Sequence, residues 1–442
     1  MIGKKKKAAF YTLGCKVNFC ETEALQALFE KNGYAITDFD READVYVINT
    51  CTVTGLSDHK SRKMIRRARR RNPDAIIVAT GCYAQGAPEE LKSMEQLDLV
   101  VGTTGRDRLP QVVETLRRGC PVDLVQPYSE ENAFEILPPV LKRGRTRGFL
   151  NIQQGCDQRC AYCIVPRVRG PLRSLEPQEA LKRVRALLRA GCREIVLTGI
   201  HLGLYGADLQ NVTLAGLLRE MESLPGLLRL RLSSLEPGDI TGELVEQIAG
   251  SEVICPHLHI PLQSGDEEIL KQMNRTYTPE EYLYLVQWLR QEIPGLAVST
   301  DLIVGFPGES ETHHRRSMEL VRKAGFSRLH VFKFSPRPGT PAAGFSNQVP
   351  QGEKEKRSRE MISLGHDLAA SFLQNYLDSE QQVLVEKVIP DAYGEGFTPQ
   401  YFRARVVLKG KGRRWRGKLL KVRLNRMDDA EQIIWGTPVR QT

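Results

Sequence analysis

Within Asn151–Gly170, NIQQGCDQRCAYCIVPRVRG, three cysteines follow one another closely: Cys156, Cys160 and Cys163, spaced C-x3-C-x2-C. Thiolates this close along one chain can grip three corners of a single cuboidal iron–sulfur cluster. The fourth iron then lacks a protein ligand and is open to a small molecule. Asp157, Gln158 and Arg159 keep the intervening loop polar, and Gly155 lets the backbone turn tightly around a bulky inorganic core. Zinc is the competing reading, because paired cysteines are often zinc sites. Structural zinc asks for four ligands, however. No Cys or His closely follows Cys163, and the next histidine, His201, falls on a different predicted element.

Upstream of this loop the chain alternates strands and helices. Strands are predicted at Ala8–Leu13, Asp44–Asn49, Ala75–Thr80 and Leu97–Val101, and helices at Glu21–Asn32, Ser57–Arg71 and Pro88–Met94. That rhythm predicts a doubly wound parallel sheet. Cys15, Cys51 and Cys82 each come just after a different strand. In such sheets the carboxyl ends of the strands share the ligand-binding edge. Three cysteines distant in sequence are thus expected to converge into a second metal site. One of them alone would read as a small buried hydrophobe. Cys20 reads as incidental, and Cys120, Cys192 and Cys255 as isolated structural residues.

The chain has 442 residues, enough for several domains, and ten cysteines. No secretory leader and no apolar run long enough to span a membrane is seen, so a cytoplasmic location and no membrane partner are expected. Clustered cysteines then mean metal or redox chemistry rather than disulfides. The net charge of +10 suits a polyanionic partner such as tRNA. The helix SDHKSRKMIRRARRR at Ser57–Arg71 has only Met64, Ile65 and Ala68 to bury and is a candidate RNA-backbone contact. Lys4–Lys7 reads as a basic tail.

Pro138-Pro139 and the basic residues after it mark a linker. Beyond it, strands are predicted near Phe149–Ile152, Glu194–Leu197, Leu228–Leu232, His257–Ile260, Ala297–Val304 and Leu329–Phe334, with helices such as Pro177–Ala190 and Pro279–Glu292 between them. Some six βα units suggest a partial (β/α)6 barrel, whose chemistry belongs at the carboxyl ends of the strands. His257 and His259 are read as facing opposite sides of one strand and as structural. After a helix around Arg357–Leu377 come short strands at Gln382–Val388, Ala404–Leu408 and Leu419–Leu424, with turns at Gly394–Gly396 and Gly410–Gly412. This predicts a small C-terminal β-barrel. Arg403, Arg405, Lys409, Lys411, Arg413, Arg414, Arg416 and Lys418 interleave there with Tyr401, Phe402 and Trp415, a pattern suited to phosphate contact and base stacking.

The strings TLGCKVNFCETE at Thr12–Glu23, VINTCTVT at Val47–Thr54 and TGCYAQ at Thr80–Gln85 resemble the N-terminal domain of the methylthiotransferase family of radical S-adenosylmethionine (SAM) enzymes. The resemblance continues through the Cys156–Cys163 loop, TGIHLGLYG at Thr198–Gly206, HLHIPLQSG at His257–Gly265 and STDLIVGFPGE at Ser299–Glu309. It therefore covers nearly the whole chain. LGCKVN and TGCYAQ look like the branch that modifies N6-threonylcarbamoyladenosine in tRNA. Phe19-Cys20, Leu202 and Leu204 depart from that branch's usual pattern, beside the motifs rather than on ligands.

The resemblance implies three domains: residues 1–140 with an auxiliary cluster, 141–373 as the radical SAM core, and 374–442 as an RNA-binding barrel similar to a TRAM domain. It implies two [4Fe-4S] clusters, one on Cys156, Cys160 and Cys163, the other on Cys15, Cys51 and Cys82. SAM would be bordered by Gly199, Ser233, Gln263, Asp301 and Gly305, with Ser264 near Gln263. The implied reaction puts a methylthio group on adenine C2. The first cluster reduces SAM to a radical that removes hydrogen from C2, and the second carries the sulfur. An external low-potential donor, flavodoxin- or ferredoxin-like, is needed, because no flavin or nicotinamide motif is present. The alternatives are the same chemistry on isopentenyladenosine in tRNA or on a ribosomal-protein aspartate, and, farther off, a non-catalytic zinc-containing RNA-binding protein.

Overall fold

The computed structural model describes residues 5–116, 118, 121–128, 134–138, 145–389, 393–408 and 415–439. The expected linker at Pro139–Gly144 and turn at Gly410–Gly412 lie outside these residues, as do Cys120, Lys4, Lys409, Lys411, Arg413 and Arg414. The chain forms two compact units, 1–141 with 151–175 and 335–344, and 142–150 with 176–334 and 345–442.

The first unit is built on a six-stranded sheet of β1 (Lys7–Thr12), β2 (Ala35–Thr37), β3 (Val45–Thr50), β4 (Ile76–Gly81), β5 (Leu99–Val100) and β6 (Val122–Asp123). The order is β2-β1-β3-β4-β5-β6, with every pairing parallel. All six residues of β3 are buried, as its run VYVINT requires of a central parallel strand covered on both faces. Helix α1 (Lys16–Lys31) sets Leu25, Leu28 and Phe29 on one face beside Val45 and Val47. Helix α2 (Gly55–Arg71) sets Met64, Ile65 and Ala68 on the other beside Tyr46 and Ile48. Each Leu, Ile, Val, Phe or Met among these, fully buried, contributes roughly 1.5–3 kcal/mol. Short helices α3 (Cys82–Gly86), α4 (Pro88–Lys92) and α5 (Leu109–Thr115) complete this part.

Two features depart from the sequence reading. The edge strands β2 and β6 were not expected; at three and two residues they are too short to show a period. Helix α1 starts at Lys16 rather than Glu21, with Cys15 at its N-cap. Its first turns bury Val17, Asn18 and every residue from Cys20 to Leu25, so no amphipathic stripe marks the start.

Strand β7 (Arg147–Gln154) is divided between the units. In the first, Gln153 and Gln154 pair with β8 (Arg173–Ser174), and helix α6 (Val165–Arg169) lies between them in the chain. In the second, the first half of β7 runs beside β9 (Glu194–Gly199), which pairs with β10 (Arg229–Leu232). Next come β11 (His257–His259), β12 (Ala297–Val304) and β13 (Arg328–Lys333), again parallel. A bridge from Ser234 to His259 joins the two halves of this partial barrel. Helices α7 (Pro177–Arg189), α8 (Leu214–Glu222), α9 (Gly242–Ala249), α10 (Glu267–Gln272), α11 (Pro279–Glu292), α12 (Glu311–Ala324) and α13 (Gln351–Gln374) follow in chain order.

The chain ends in a closed barrel of β14 (Glu380–Ile389), β15 (Tyr393–Phe397), β16 (Arg403–Val407), β17 (Leu419–Asp428) and β18 (Ile433–Pro438), ordered β14-β15-β16-β18-β17. Gly394–Gly396, expected as a turn, is the middle of β15. Glycine is needed there for close strand approach: a Cβ on Gly396 would sit 1.9 Å from the Leu384 carbonyl oxygen. Tyr401 and Phe402 are not base-stacking residues either. Phe402 is a core residue of the barrel, its ring 4.9 Å from that of Tyr376. Tyr401 lies under the Arg231 guanidinium at 4.2 Å and against Phe397 and His257. A cation–aromatic group formed by residues of the barrel itself is Arg405 and Arg426 around Tyr393 and Trp435.

Candidate functional site

Strands β1, β3 and β4 deliver Cys15, Cys51 and Cys82 to one edge of the parallel sheet, and Asn18 ties them together. Its Nδ2 donates to the carbonyls of Leu13 (2.8 Å) and Thr50 (3.0 Å). Its Oδ1 lies 3.9 Å from both Cys15 Sγ and Cys82 Sγ. Gly14 has φ +99°, and a Cβ there would stand 2.9 Å from Cys51 Cβ, so glycine lets the Cys15 turn approach Cys51. Cys51 and Cys82 are buried while Cys15 is exposed, which leaves the trio open on one side. Burial pushes the Cys82 thiol up to about 12, against the opposing pull of the Arg169 guanidinium, and pushes Cys51 up as well. Two cysteine sulfurs at Asn18 Oδ1 and a third beside the Gly14 turn, with one side open, fit a group bound by three thiolates.

Behind the trio sits a buried charged network that the sequence reading missed. Arg169, at the end of α6, donates from Nε to Cys82 Sγ at 3.1 Å. Its two Nη atoms reach the Glu21 carboxylate and Asn18 Oδ1. Arg106 pairs with Glu21 at 3.0 Å and also with Glu135. Burial works against the Glu21 charge, but Arg106 and Arg169 outweigh it and hold its carboxyl well below the usual range. Arg169 stands in the string VPRVRG, yet nothing in its spacing says where it points.

Cys156, Cys160 and Cys163 occupy the loop between β7 and α6. The loop is closed at its base, where Cys156 N donates to Gly170 O (3.1 Å), and turned at its tip, where Cys163 N donates to Cys160 O (3.0 Å). Gly155 has φ +72°, and any Cβ would collide with the Pro171 carbonyl oxygen. Cys160 is buried; Cys156 and Cys163 are half-exposed. Asp157, Gln158 and Arg159 are exposed, as expected of a polar loop, and the Asp157 carboxylate accepts from Leu172 N at 3.3 Å.

Residues 335–344, SPRPGTPAAG, also escaped the sequence reading and hold both cysteine loops. Ser335 Oγ accepts from Gly55 N (3.0 Å), and Arg337 donates to Thr52 Oγ1 (2.8 Å) and pairs with Asp58. Ala342 N donates to Ala161 O (2.9 Å), and Arg167 donates to Gly339 O (2.9 Å). The available signal was Arg337, a cation between two prolines, which the structure buries.

In the second unit, Gly199 ends β9, and Ser233 follows β10 with its Oγ buried and unpartnered among the described residues. A buried hydroxyl without a partner suits a polar ligand. Gln263 has φ +64°, a conformation few non-glycine residues adopt, held by Gln263 N donating to Asp301 O (2.9 Å) and Ile303 N donating to Gln263 O (2.8 Å). Gly305 N donates to Glu309 Oε1 (2.9 Å), and Lys354 packs on the face a side chain would fill. Ser264 is engaged inside the fold, its Oγ 3.4 Å from that of Ser317.

His257 and His259 share a face, contrary to expectation, because residues two apart on a strand point the same way. Ser299 Oγ lies 3.2 Å from His257 Nε2 and 3.0 Å from His259 Nδ1. His259 and His330 both bond Asp301 Oδ1, at 3.2 and 3.1 Å. Burial opposes the Asp301 charge, but these two imidazoles prevail and hold its carboxyl well below the usual range.

The model of the Radical SAM superfamily matches residues 150–321, and that described as Uncharacterized protein family UPF0004 matches residues 7–102. The fold is similar to that of the radical S-adenosylmethionine methyltransferase TsrM from Kitasatospora setae, with a TM-score of 0.55 at 17% identity over 77% of each chain. Radical SAM proteins use a [4Fe-4S] cluster and SAM.

Over 94% of its length the chain is 42% identical to the threonylcarbamoyladenosine tRNA methylthiotransferase MtaB of Bacillus subtilis, covering 93% of that protein. It is 39% identical to the protein of that name in Aquifex aeolicus, over 86% of this chain and 92% of that one. It is 35% identical to the tRNA-2-methylthio-N(6)-dimethylallyladenosine synthase of Carboxydothermus hydrogenoformans, over 86% and 88%. The chain belongs to the radical SAM methylthiotransferase family and is an enzyme of that class. No helix among the described residues is long and apolar enough to cross a membrane.

Proposed function

We propose that this enzyme adds a methylthio group to C2 of N6-threonylcarbamoyladenosine beside the anticodon of tRNA, in the cytoplasm. The observation that carries the chemistry is the gathering of Cys15 and Cys82 at Asn18 and of Cys51 beside Gly14, in the same unit as the Cys156–Cys163 loop. Cys156, Cys160 and Cys163 would hold the cluster that serves SAM, and Cys15, Cys51 and Cys82 a second. When bound, the two clusters supply one-electron reduction of SAM and a site for the transferred sulfur. Adenine C2 carries no proton that a general base could remove, which is why the reaction needs radical chemistry.

The chain's own residues orient and enclose. Ser233, Gln263 and Asp301, with the backbone at Gly199 and Gly305, are the proposed SAM-binding positions. Ser233 Oγ offers a hydrogen bond that no described residue takes up, and Gln263 is held in a fixed, strained conformation that pre-orients its amide. Asn18 and Arg337 hold the cysteine turns in place before any group binds. An external low-potential donor delivers the electron. We read the C-terminal barrel and the basic helix α2 as the tRNA contacts, within a plan of residues 1–140, 141–373 and 374–442 as auxiliary-cluster, core and RNA-binding parts.

The threonylcarbamoyl substrate is supported by the 42% and 39% identical relatives of that name. The second reading, dimethylallyladenosine, is supported by relatives at 35%. Nucleoside analysis of tRNA from a deletion strain tests the choice. Loss of the methylthio form of threonylcarbamoyladenosine is expected, with its unmethylthiolated parent retained. Loss of the methylthio dimethylallyl nucleoside instead would establish the second reading.

A further inference from the structure

The Arg169 side chain is only 2% exposed, yet it carries a full charge and aims one donor at a cysteine sulfur. A guanidinium offers five N–H donors in a rigid fork. Here Nε takes Cys82 Sγ, Nη2 takes Asn18 Oδ1, and both Nη atoms take the Glu21 carboxylate. The fork is oriented from behind: Glu21, 4% exposed, is fixed in turn by Arg106, and Arg106 by Glu135. The Arg169 carbonyl accepts from Arg173 Nη2 at 2.6 Å, which fixes the backbone end of the same side chain. A buried charge is costly to place unless it is paired, so an arrangement this complete around a sulfur calls for an explanation beyond packing.

We propose that Arg169 is a positioning residue that sets the reduction potential of the group held by Cys15, Cys51 and Cys82, with Glu21 as its counterweight. The inference rests on the reading of that trio as a cluster site. Hydrogen bonds to ligand sulfurs and local charge tune cluster potentials. An N–H donated to Cys82 Sγ, together with a positive charge behind it, stabilises the more negative, reduced state and raises the potential. Glu21 lies on the far side of the guanidinium and offsets part of that charge. Because Arg169 closes the helix that follows Cys163, the loop carrying one cysteine triplet also supplies the donor to a ligand of the other.

The test is redox titration of the anaerobically reconstituted full chain, followed by electron paramagnetic resonance, for the wild type and for Arg169→Met, Arg169→Lys and Glu21→Gln. Iron analysis and the wild-type spectrum come first. A wild type with only one cluster sinks the cluster reading itself. With two clusters present, Arg169→Met is expected to shift the auxiliary potential negative, Arg169→Lys to shift it less, and Glu21→Gln to shift it positive. The potential of the cluster on Cys156, Cys160 and Cys163 stays at its wild-type value in all three. If Arg169→Met does not retain the second cluster, Arg169→Lys and Glu21→Gln decide. Unchanged auxiliary potentials, or shifts of one sign for Arg169→Lys and Glu21→Gln, overturn the proposal and leave Arg169 a scaffold for the loop alone.

Discussion

Asn18 and Thr50 are joined by a buried hydrogen bond, Nδ2 to carbonyl oxygen at 3.0 Å, across thirty-two positions of sequence. The same amide also holds Leu13 O, so one side chain locks the turn before Cys15 to the strand end before Cys51. Replacing Asn18 with Ala strips two carbonyls of a donor at once, that of Thr50 buried and that of Leu13 partly so. Each group left unsatisfied costs about 1–3 kcal/mol. The Asn18→Ala protein is expected to melt several degrees lower and to bind less iron at the N-terminal trio, which thermal unfolding and iron analysis will show.

Arg337 and Asp58 form a buried pair, at 9% and 11% side-chain exposure. Removing one partner of a buried pair costs about 3–5 kcal/mol, because the other charge is stranded. Arg337→Met is therefore expected to destabilise the Cys51 loop strongly, while the double variant Arg337→Met with Asp58→Asn recovers part of the loss. A double-mutant cycle by chemical denaturation measures the recovery.

Much of this was readable in advance, and the reason lies in periodicity. The runs VYVINT and AIIVAT are apolar enough to announce central parallel strands, and parallel strands bring their carboxyl ends to one edge. Cys15, Cys51 and Cys82 thus follow from pattern plus topology. Arg169, Glu21 and Asn18 do not. They are polar residues buried to serve one another, and a burial pattern set by partners rather than by hydropathy leaves no period. Tyr401 and Phe402 misled for the converse reason: aromatic residues beside arginines look alike whether they meet a base or their own barrel core.

Glu194 is wholly buried against Arg231 at 3.0 Å. Burial raises its carboxyl, but Arg231 more than compensates, so the folded-state value lies below the ordinary 4.5. A group lowered on folding contributes stability above its unfolded pKa and loses it as pH falls through the folded value. Melting temperature is therefore expected to drop as pH falls below about 4.5, and Glu194→Gln should flatten that part of the profile. Arg231 also donates to the carbonyls of Thr398 (3.1 Å) and Pro399 (2.9 Å), so the loss should reach the C-terminal barrel.

On α2, Arg62, Arg67, Arg69 and Arg71 are engaged by Glu90, Asp40 and Asp98. Lys60, Lys63, Arg66 and Arg70 are exposed without ion pairs among the described residues. These four are the ones expected to meet phosphate. Changing all four to Ala should weaken tRNA binding uniformly across tRNA species and flatten its salt dependence by roughly 0.7–0.9 per lost contact. Filter binding over a salt series reads both effects; an unchanged slope would move the interface elsewhere, with Arg405 and Arg426 on the barrel the next candidates.

The central claim is a division of labour between two cysteine sets, and Cys82→Ala tests it most directly. The variant is reconstituted anaerobically, iron is counted, and 5′-deoxyadenosine release from SAM is measured beside methylthio product on tRNA. The account predicts about four irons per chain where the wild type holds about eight, with 5′-deoxyadenosine still formed and no methylthio nucleoside. Loss of 5′-deoxyadenosine in a folded Cys82→Ala protein, or an iron count equal to the wild type's, would contradict it.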